Sequence, residues 1–141
     1  MAKFFKLNVS VIIFDNDNNV LIQKRAITEN VFPGLYGIPG GTVEISDISL
    51  EAALRREVME EVGVKIKKTS LLIENIKAKE MYATLYLVYT AEHDSGEASP
   101  LDETESVQWL SQTDLAVLDF TPTTLETIKL ACERRNTSSS V

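Results

Sequence analysis

The run Leu50-Glu51-Ala52-Ala53-Leu54-Arg55-Arg56-Glu57-Val58-Met59-Glu60-Glu61-Val62-Gly63-Val64 decides how the rest of the chain is read. Leu54, Val58 and Val62 recur every four residues, the spacing of one apolar helix face. Ala52 and Ala53 are strong helix formers. Asp47 or Ser49 stands where an N-cap belongs, and Gly63 stands where a helix C-terminus favours glycine. The spacing predicts a helix from about Ser49 to Val62. Glu57, Glu60 and Glu61 are related by steps of three and four, so their carboxylates project from one face. Like charges so placed cost an isolated helix roughly 0.2–0.5 kcal/mol per pair. Taken alone, Glu-x-x-Glu-Glu reads as a solvated acidic face.

The residues upstream change that reading. Gly40-Gly41 can bring backbone groups close to a ligand, and a carbonyl there would add an oxygen to the carboxylate set. Hard divalent cations coordinated by oxygen would offset the repulsion along the helix. Arg56 lies four residues before Glu60, the weaker order for helix stability. Orienting a carboxylate is therefore the better explanation of Arg56.

Further out, Leu7, Val9, Val11 and Ile13 alternate with Asn8, Ser10 and Ile12, which predicts a strand with a buried face. Asp15-Asn16-Asp17-Asn18-Asn19 is a dense turn signal, and Val20 to Lys24 resumes as a second strand, making a hairpin. Thr28 to Gly41 reads as loop, broken by Pro33, Gly34, Gly37, Pro39, Gly40 and Gly41. Beyond the helix, Leu71–Ile76 and Met81–Ala91 read as strands, His93–Pro100 as a turn-rich loop and Val107–Leu110 as a short strand. Thr121-Pro122 precedes a last helix, about Thr123 to Arg134. Strands, helix, strands, helix point to an α+β sandwich and not to a doubly wound parallel fold.

The whole chain has 141 residues, a length suited to one domain. We read residues 1–135 as that domain and 136–141 as a frayed polar tail. The net charge of −7 argues against a protein that grips nucleic-acid backbone. No stretch is long enough to span a membrane, and the first residues hold no signal-peptide core. Cys132 is the single cysteine, which excludes an intrachain disulfide and a cysteine-based zinc site. The expected location is the cytoplasm.

Gly41 through Val64 resembles the Nudix box, G-x5-E-x7-R-E-U-x-E-E-x-G-U with U aliphatic. Arg56 to Val64 matches at every specified position, and Tyr36-Gly37-Ile38-Pro39-Gly40-Gly41 is similar to the family's aromatic-x-x-Pro-Gly-Gly approach. The left half departs. Gly41 to Arg56 is one residue longer than the family spacing. The first box glutamate falls on Asp47 counted forward from Gly41, and on Ile48 counted back from Arg56. An insertion with Asp47 standing in is the simplest reconciliation.

The resemblance implies an α/β/α sandwich with a mixed β-sheet and the box helix packed on it, like the compact MutT-like members. It implies hydrolysis of a pyrophosphate bond in a nucleoside diphosphate derivative, foremost a nucleoside triphosphate cut to monophosphate and pyrophosphate. The implied cofactor is Mg2+ or Mn2+. Glu57 and Glu61 would be the main ligands, Glu60 a ligand or a partner in water activation, Gly40 a carbonyl ligand, and Arg56 the group that orients the carboxylates. Glu103 is the candidate for a further glutamate from a late loop, with Glu105 second. Arg25 resembles the family position that touches substrate phosphate, and Gly41 and Tyr36 are the other substrate-side candidates. The implied partner is a small nucleotide, with no nucleic-acid polymer and no membrane. A homodimer would be in keeping with the family. The alternative is a catalytically weak domain of the same family that binds a nucleotide as sensor or scaffold. Its motivation is the displaced first box carboxylate.

Gly34, Gly37 and Gly40 do not make a dinucleotide fingerprint, because Pro39 and the absent strand-to-helix setting oppose it. His93, the lone histidine, reads as a surface residue. Tyr82, Tyr86 and Tyr89 read as sheet packing.

Overall fold

A computed structural model describes residues 4–139. In chain order it holds β1 (Phe4–Phe14), β2 (Val20–Arg25), β3 (Tyr36–Gly37), β4 (Gly40–Thr42), α1 (Leu50–Val62), β5 (Lys65–Ala78), β6 (Tyr82–Ser95), β7 (Thr104–Leu110) and α2 (Thr124–Ser139). A short 3-10 helix, Gln112–Val117, precedes α2.

The alternation in β1 explains the layers. Successive strand side chains point to opposite faces. Val9, Val11 and Ile13 join Leu54, Val58 and Val62 of α1 in one buried cluster. Ile12 and Phe14 join Leu72, Ile128 and Ala131 in a second cluster, on the side of α2. In β2, Leu21 belongs to the α1 side, and Val20 and Ile22 to the α2 side. The expected sandwich is thus observed: helix, mixed sheet, helix.

The sheet runs β3-β2-β1-β6-β5, with β4 also paired to β1 and β7 to β2. β1 and β6 are parallel from Phe4↔Tyr82 to Phe14↔Glu92. The other pairings are antiparallel. The β1–β2 hairpin closes at Phe14↔Val20 and then opens. Past that point β1 pairs with β4 and β2 with β3, so residues 36–42 fill the wedge between them, and β7 runs along the other edge of β2.

At the start of α1, Ser49 is the cap: its Oγ accepts the Ala52 N–H at 3.0 Å. At the end, Gly63 sits at φ 71°, and its N–H reaches the carbonyls of Val58 and Met59. That left-handed conformation favours glycine.

Several boundaries differ from the sequence reading. β3 and β4 lie within the stretch read as loop. They are two and three residues long, too short to show alternation beside so many glycines. β5 begins at Lys65 and β6 continues through His93 to Ser95. Pairing between the two carries the strands beyond their apolar segments. The last helix extends through Ser139, so the segment from Asn136 read as a frayed tail begins as helix; positions 140 and 141 lie outside the described residues. Among the described residues, no helix is long and apolar enough to cross a membrane.

Candidate active site

Arg56 organises one side of the site. Its Nε donates to Asp47 Oδ1 at 2.9 Å, and its Nη2 donates to Asp47 Oδ2 at 2.8 Å. Such a two-point fork fixes both partners in orientation as well as distance. Asp47 Oδ2 also accepts the Glu44 N–H at 2.8 Å. These contacts, the guanidinium foremost, hold the Asp47 carboxyl down at about 2. Ile48, the other candidate for this place, is 94% exposed. The extra residue is therefore absorbed in the loop, and Asp47 takes the carboxylate position opposite Arg56.

The remaining nitrogen of Arg56, Nη1, donates to Glu57 Oε1 at 3.0 Å and to Glu60 Oε2 at 3.2 Å. Nη2 also reaches the Thr42 carbonyl at 3.2 Å. Its hydrogen bonds to Asp47, Glu57 and Glu60 raise the guanidinium pKa further, so Arg56 is a fixed positive charge among carboxylates. These contacts set Arg56 against the carboxylates it is expected to orient.

Glu57 is largely buried, its side chain 13% exposed. Burial pushes its carboxyl pKa up, against the pull of Arg56. A Cβ at Gly41 would overlap the Glu57 carboxyl group. Gly41 thus makes space for Glu57; it is not among the residues lining the cleft described below.

Glu61 is held from the opposite side. Its Oε1 accepts the Gly40 N–H and its Oε2 accepts Gln23 Nε2, each at 3.1 Å. Burial nevertheless raises its carboxyl to about 7, with the two hydrogen bonds opposing the rise. Ladder geometry explains the Gly40 contact. Val11 and Val43 donate to Pro39 and Leu7 across the β1–β4 pair, so Gly40, opposite Ser10, falls at a non-hydrogen-bonded position. Neither its N–H nor its carbonyl is taken by β1. The N–H goes to Glu61, and the carbonyl expected as a ligand lies on the same strand edge.

Glu60 is half exposed and touches Arg56. Among the described residues, no three acidic, histidine or cysteine side chains converge as a ready metal cage. The chemistry of the donors still fits a hard divalent cation. Glu57 and Glu61 are two carboxylates partly withdrawn from water beside an oxygen-bearing glycine edge, and oxygen is the ligand such cations take.

Gly40 and Gln23, the two partners of Glu61, also line a cleft of about 760 Å³ that reaches Thr124 and Thr127 of α2; the box glutamates are not among its lining residues. Gln23, Arg25, Gly40 and Phe32 line one part, and Asn8, Ser10 and Tyr86 line another. Arg25 is tied into the loop after β2. Its Nε donates to the Val31 carbonyl at 2.8 Å and its Nη2 to Glu29 at 3.1 Å. Glu103 lies beside Glu29, and the contact between these two carboxyls raises the Glu103 pKa. Glu103 makes no hydrogen bond to the glutamates of α1. Glu105 pairs with Lys24 at 3.1 Å, which gives it a structural partner.

Tyr36, expected to touch substrate, packs instead on Phe120, the ring centroids 6.4 Å apart, within the α2-side cluster. Phe32 is the aromatic of this loop region that lines the cleft. His93 is a structural residue: its Nε2 is 2.7 Å from the Gly96 carbonyl, and its ring meets Trp109 edge-on. Gln23 escaped the sequence reading. Its signal was available: an amide at the α1-facing register of the apolar run Val20-Leu21-Ile22-Gln23, two residues past buried Leu21.

Comparison with known proteins adds an independent line. The NUDIX domain family model matches residues 4–131. Nucleoside triphosphatase NudI of Escherichia coli is 30% identical over 130 residues, covering 84% of this chain and 91% of that protein. The crystal structure of a MutT NUDIX hydrolase from Burkholderia pseudomallei superposes with a TM-score of 0.76 at 25% identity, covering 89% of this chain and 97% of that one. The MutT protein from Methanosarcina mazei Go1 shares the fold, with a TM-score of 0.76 at 18% identity, covering 95% and 98%.

Proposed function

The chain belongs to the NUDIX domain family, and we propose that it hydrolyses nucleoside triphosphates to a monophosphate and pyrophosphate with Mg2+ or Mn2+ as cofactor. One observation carries this reading: Glu57 and Glu61, both withdrawn from water, flank the double glycine at the edge of a cleft. The name of the Escherichia coli relative supports a triphosphate as substrate.

In this reading Glu57 and Glu61 hold the cation, with Glu60 and the Gly40 carbonyl as further donors. Held there, a divalent cation would supply charge neutralisation at the phosphates and a more acidic attacking water. Arg56 fixes the rotamers of Glu57 and Glu60 through Nη1 and is itself fixed by Asp47. Glu60 has an exposed carboxylate able to take a proton from the attacking water. Arg25 presents a planar donor fork suited to phosphate oxygens. Glu103 acts next to Arg25, through the Glu29 loop. The substrate is a freely diffusing nucleotide of the cytoplasm.

The alternative of a weak nucleotide-binding domain rested on a displaced box carboxylate. Asp47 in the fork of Arg56 supports the catalytic reading instead. The test is a panel of nucleoside triphosphates with product analysis. Pyrophosphate release that needs the metal and stops with chelator supports the proposal. Tight nucleotide binding without turnover would favour the sensor.

A further inference from the structure

Gln23 is 94% buried, at 6% exposure, on the face of β2 that looks toward α1. Its Nε2 donates to Glu61 Oε2 at 3.1 Å. Its Oε1 is the buried side-chain atom without a hydrogen-bond partner among the described residues. A buried unpartnered amide oxygen is costly to keep, and this one belongs to a residue that lines the cleft beside the Glu61 carboxylate. With Glu61 ionised, as a cation ligand must be, its carboxylate only accepts, so the NH2 end of Gln23 faces it. The oxygen is thereby left without a donor, buried in a residue that lines the cleft.

We propose that Gln23 Oε1 is an additional neutral oxygen of the divalent-cation site, binding the ion directly or through a water of its shell. Gln23 would then act twice. Its NH2 end steadies Glu61, and its carbonyl end joins the same ion. This rests on the reading of Glu57 and Glu61 as cation ligands. A neutral amide oxygen suits a site that already carries several carboxylates, since it adds a ligand without adding repulsion. The strand places it from outside the box helix, so the ion would be gripped between β2, the glycine edge and α1.

The experiment is a titration of the full chain with Mn2+ alone, followed by electron paramagnetic resonance. Circular dichroism confirms folding of each variant. Gln23→Met keeps the size of the side chain and removes both hydrogen-bonding ends. Gln23→Glu keeps an oxygen and loses the donor. Glu57→Gln is the control for the underlying site. Outer and neighbouring ligand changes typically cost about 10- to 100-fold in metal affinity. The proposal expects Gln23→Met to weaken Mn2+ binding by about tenfold, and Gln23→Glu to bind at least as tightly as the parent. It is overturned if folded Gln23→Met binds Mn2+ as the parent does, or if Gln23→Glu loses as much as Gln23→Met. In either case a large loss in Glu57→Gln would leave the box site standing. No specific Mn2+ binding by the parent would overturn both.

Discussion

Asp47 and Arg56 meet in a two-point fork, 2.8 and 2.9 Å, across the loop that precedes the box helix. The fork brings a carboxylate to the guanidinium although the loop is one residue longer than the family spacing. In the proposed site Asp47 is the anchor of Arg56 and not itself a metal ligand. Asp47→Ala should lower turnover by about tenfold, the lower end of what lost supporting contacts cost at metal sites. Steady-state kinetics with a nucleoside triphosphate reads this. An unchanged rate would show that Arg56 holds Glu57 and Glu60 without help.

The same fork sets a pH dependence. Arg56 holds the Asp47 carboxyl at about 2, below its ordinary 3.8. A depressed acid stabilises the fold above its unfolded pKa, and the contribution is lost as pH falls through the folded value. Asp47→Asn should therefore melt below the parent at neutral pH, with the difference closing as pH falls from about 4 toward 2. Thermal melts across that range check it.

Glu61 shows the opposite sign. Burial lifts its carboxyl from 4.5 to about 7. The folded state then binds more protons than the unfolded state between those values. Metal-free protein loses stability as pH rises through that window, and the penalty is complete above it. Glu61→Gln should raise the melting temperature of metal-free protein at pH 8 and leave it nearly unchanged at pH 4. Turnover should fall on the order of a hundredfold or more, the scale of lost metal or acid–base function. A variant that melts lower at pH 8 would contradict the desolvation account.

The two glycines separate folding from chemistry. A Cβ at Gly40 would run into the Val9 carbonyl and Ser10 backbone, whereas one at Gly41 would meet the Glu57 carboxyl group. Backbone cannot move aside as a side chain can. Gly40→Ala should destabilise the protein by about 1–3 kcal/mol, the range for overpacking. Gly41→Ala should fold nearly normally and lose activity by displacing Glu57. Denaturant melts beside kinetics distinguish the pair.

Much of this was legible in the sequence because it is local. The helix spacing, a cap at Asp47 or Ser49, the glycine at 63 and the alternation in β1 each depend on near neighbours. The three glutamates were placed by helical period alone. What escaped depends on distant pairing. The parallel partnership of β1 with β6 joins residues far apart in the chain. The two- and three-residue strands β3 and β4 take their form from β2 and β1. Tyr36 was drawn to the substrate side by its motif, yet its ring goes to Phe120, a neighbour that only the fold supplies. Glu103 meets Glu29 for the same reason.

The most direct measurement is pyrophosphate release from nucleoside triphosphates by the parent chain and by Glu57→Gln and Glu61→Gln, each with Mg2+ and with chelator. The account predicts turnover by the parent with Mg2+, loss with chelator, and a drop of at least about a hundredfold in both variants. Full activity in either variant, or turnover that persists in chelator, would contradict it.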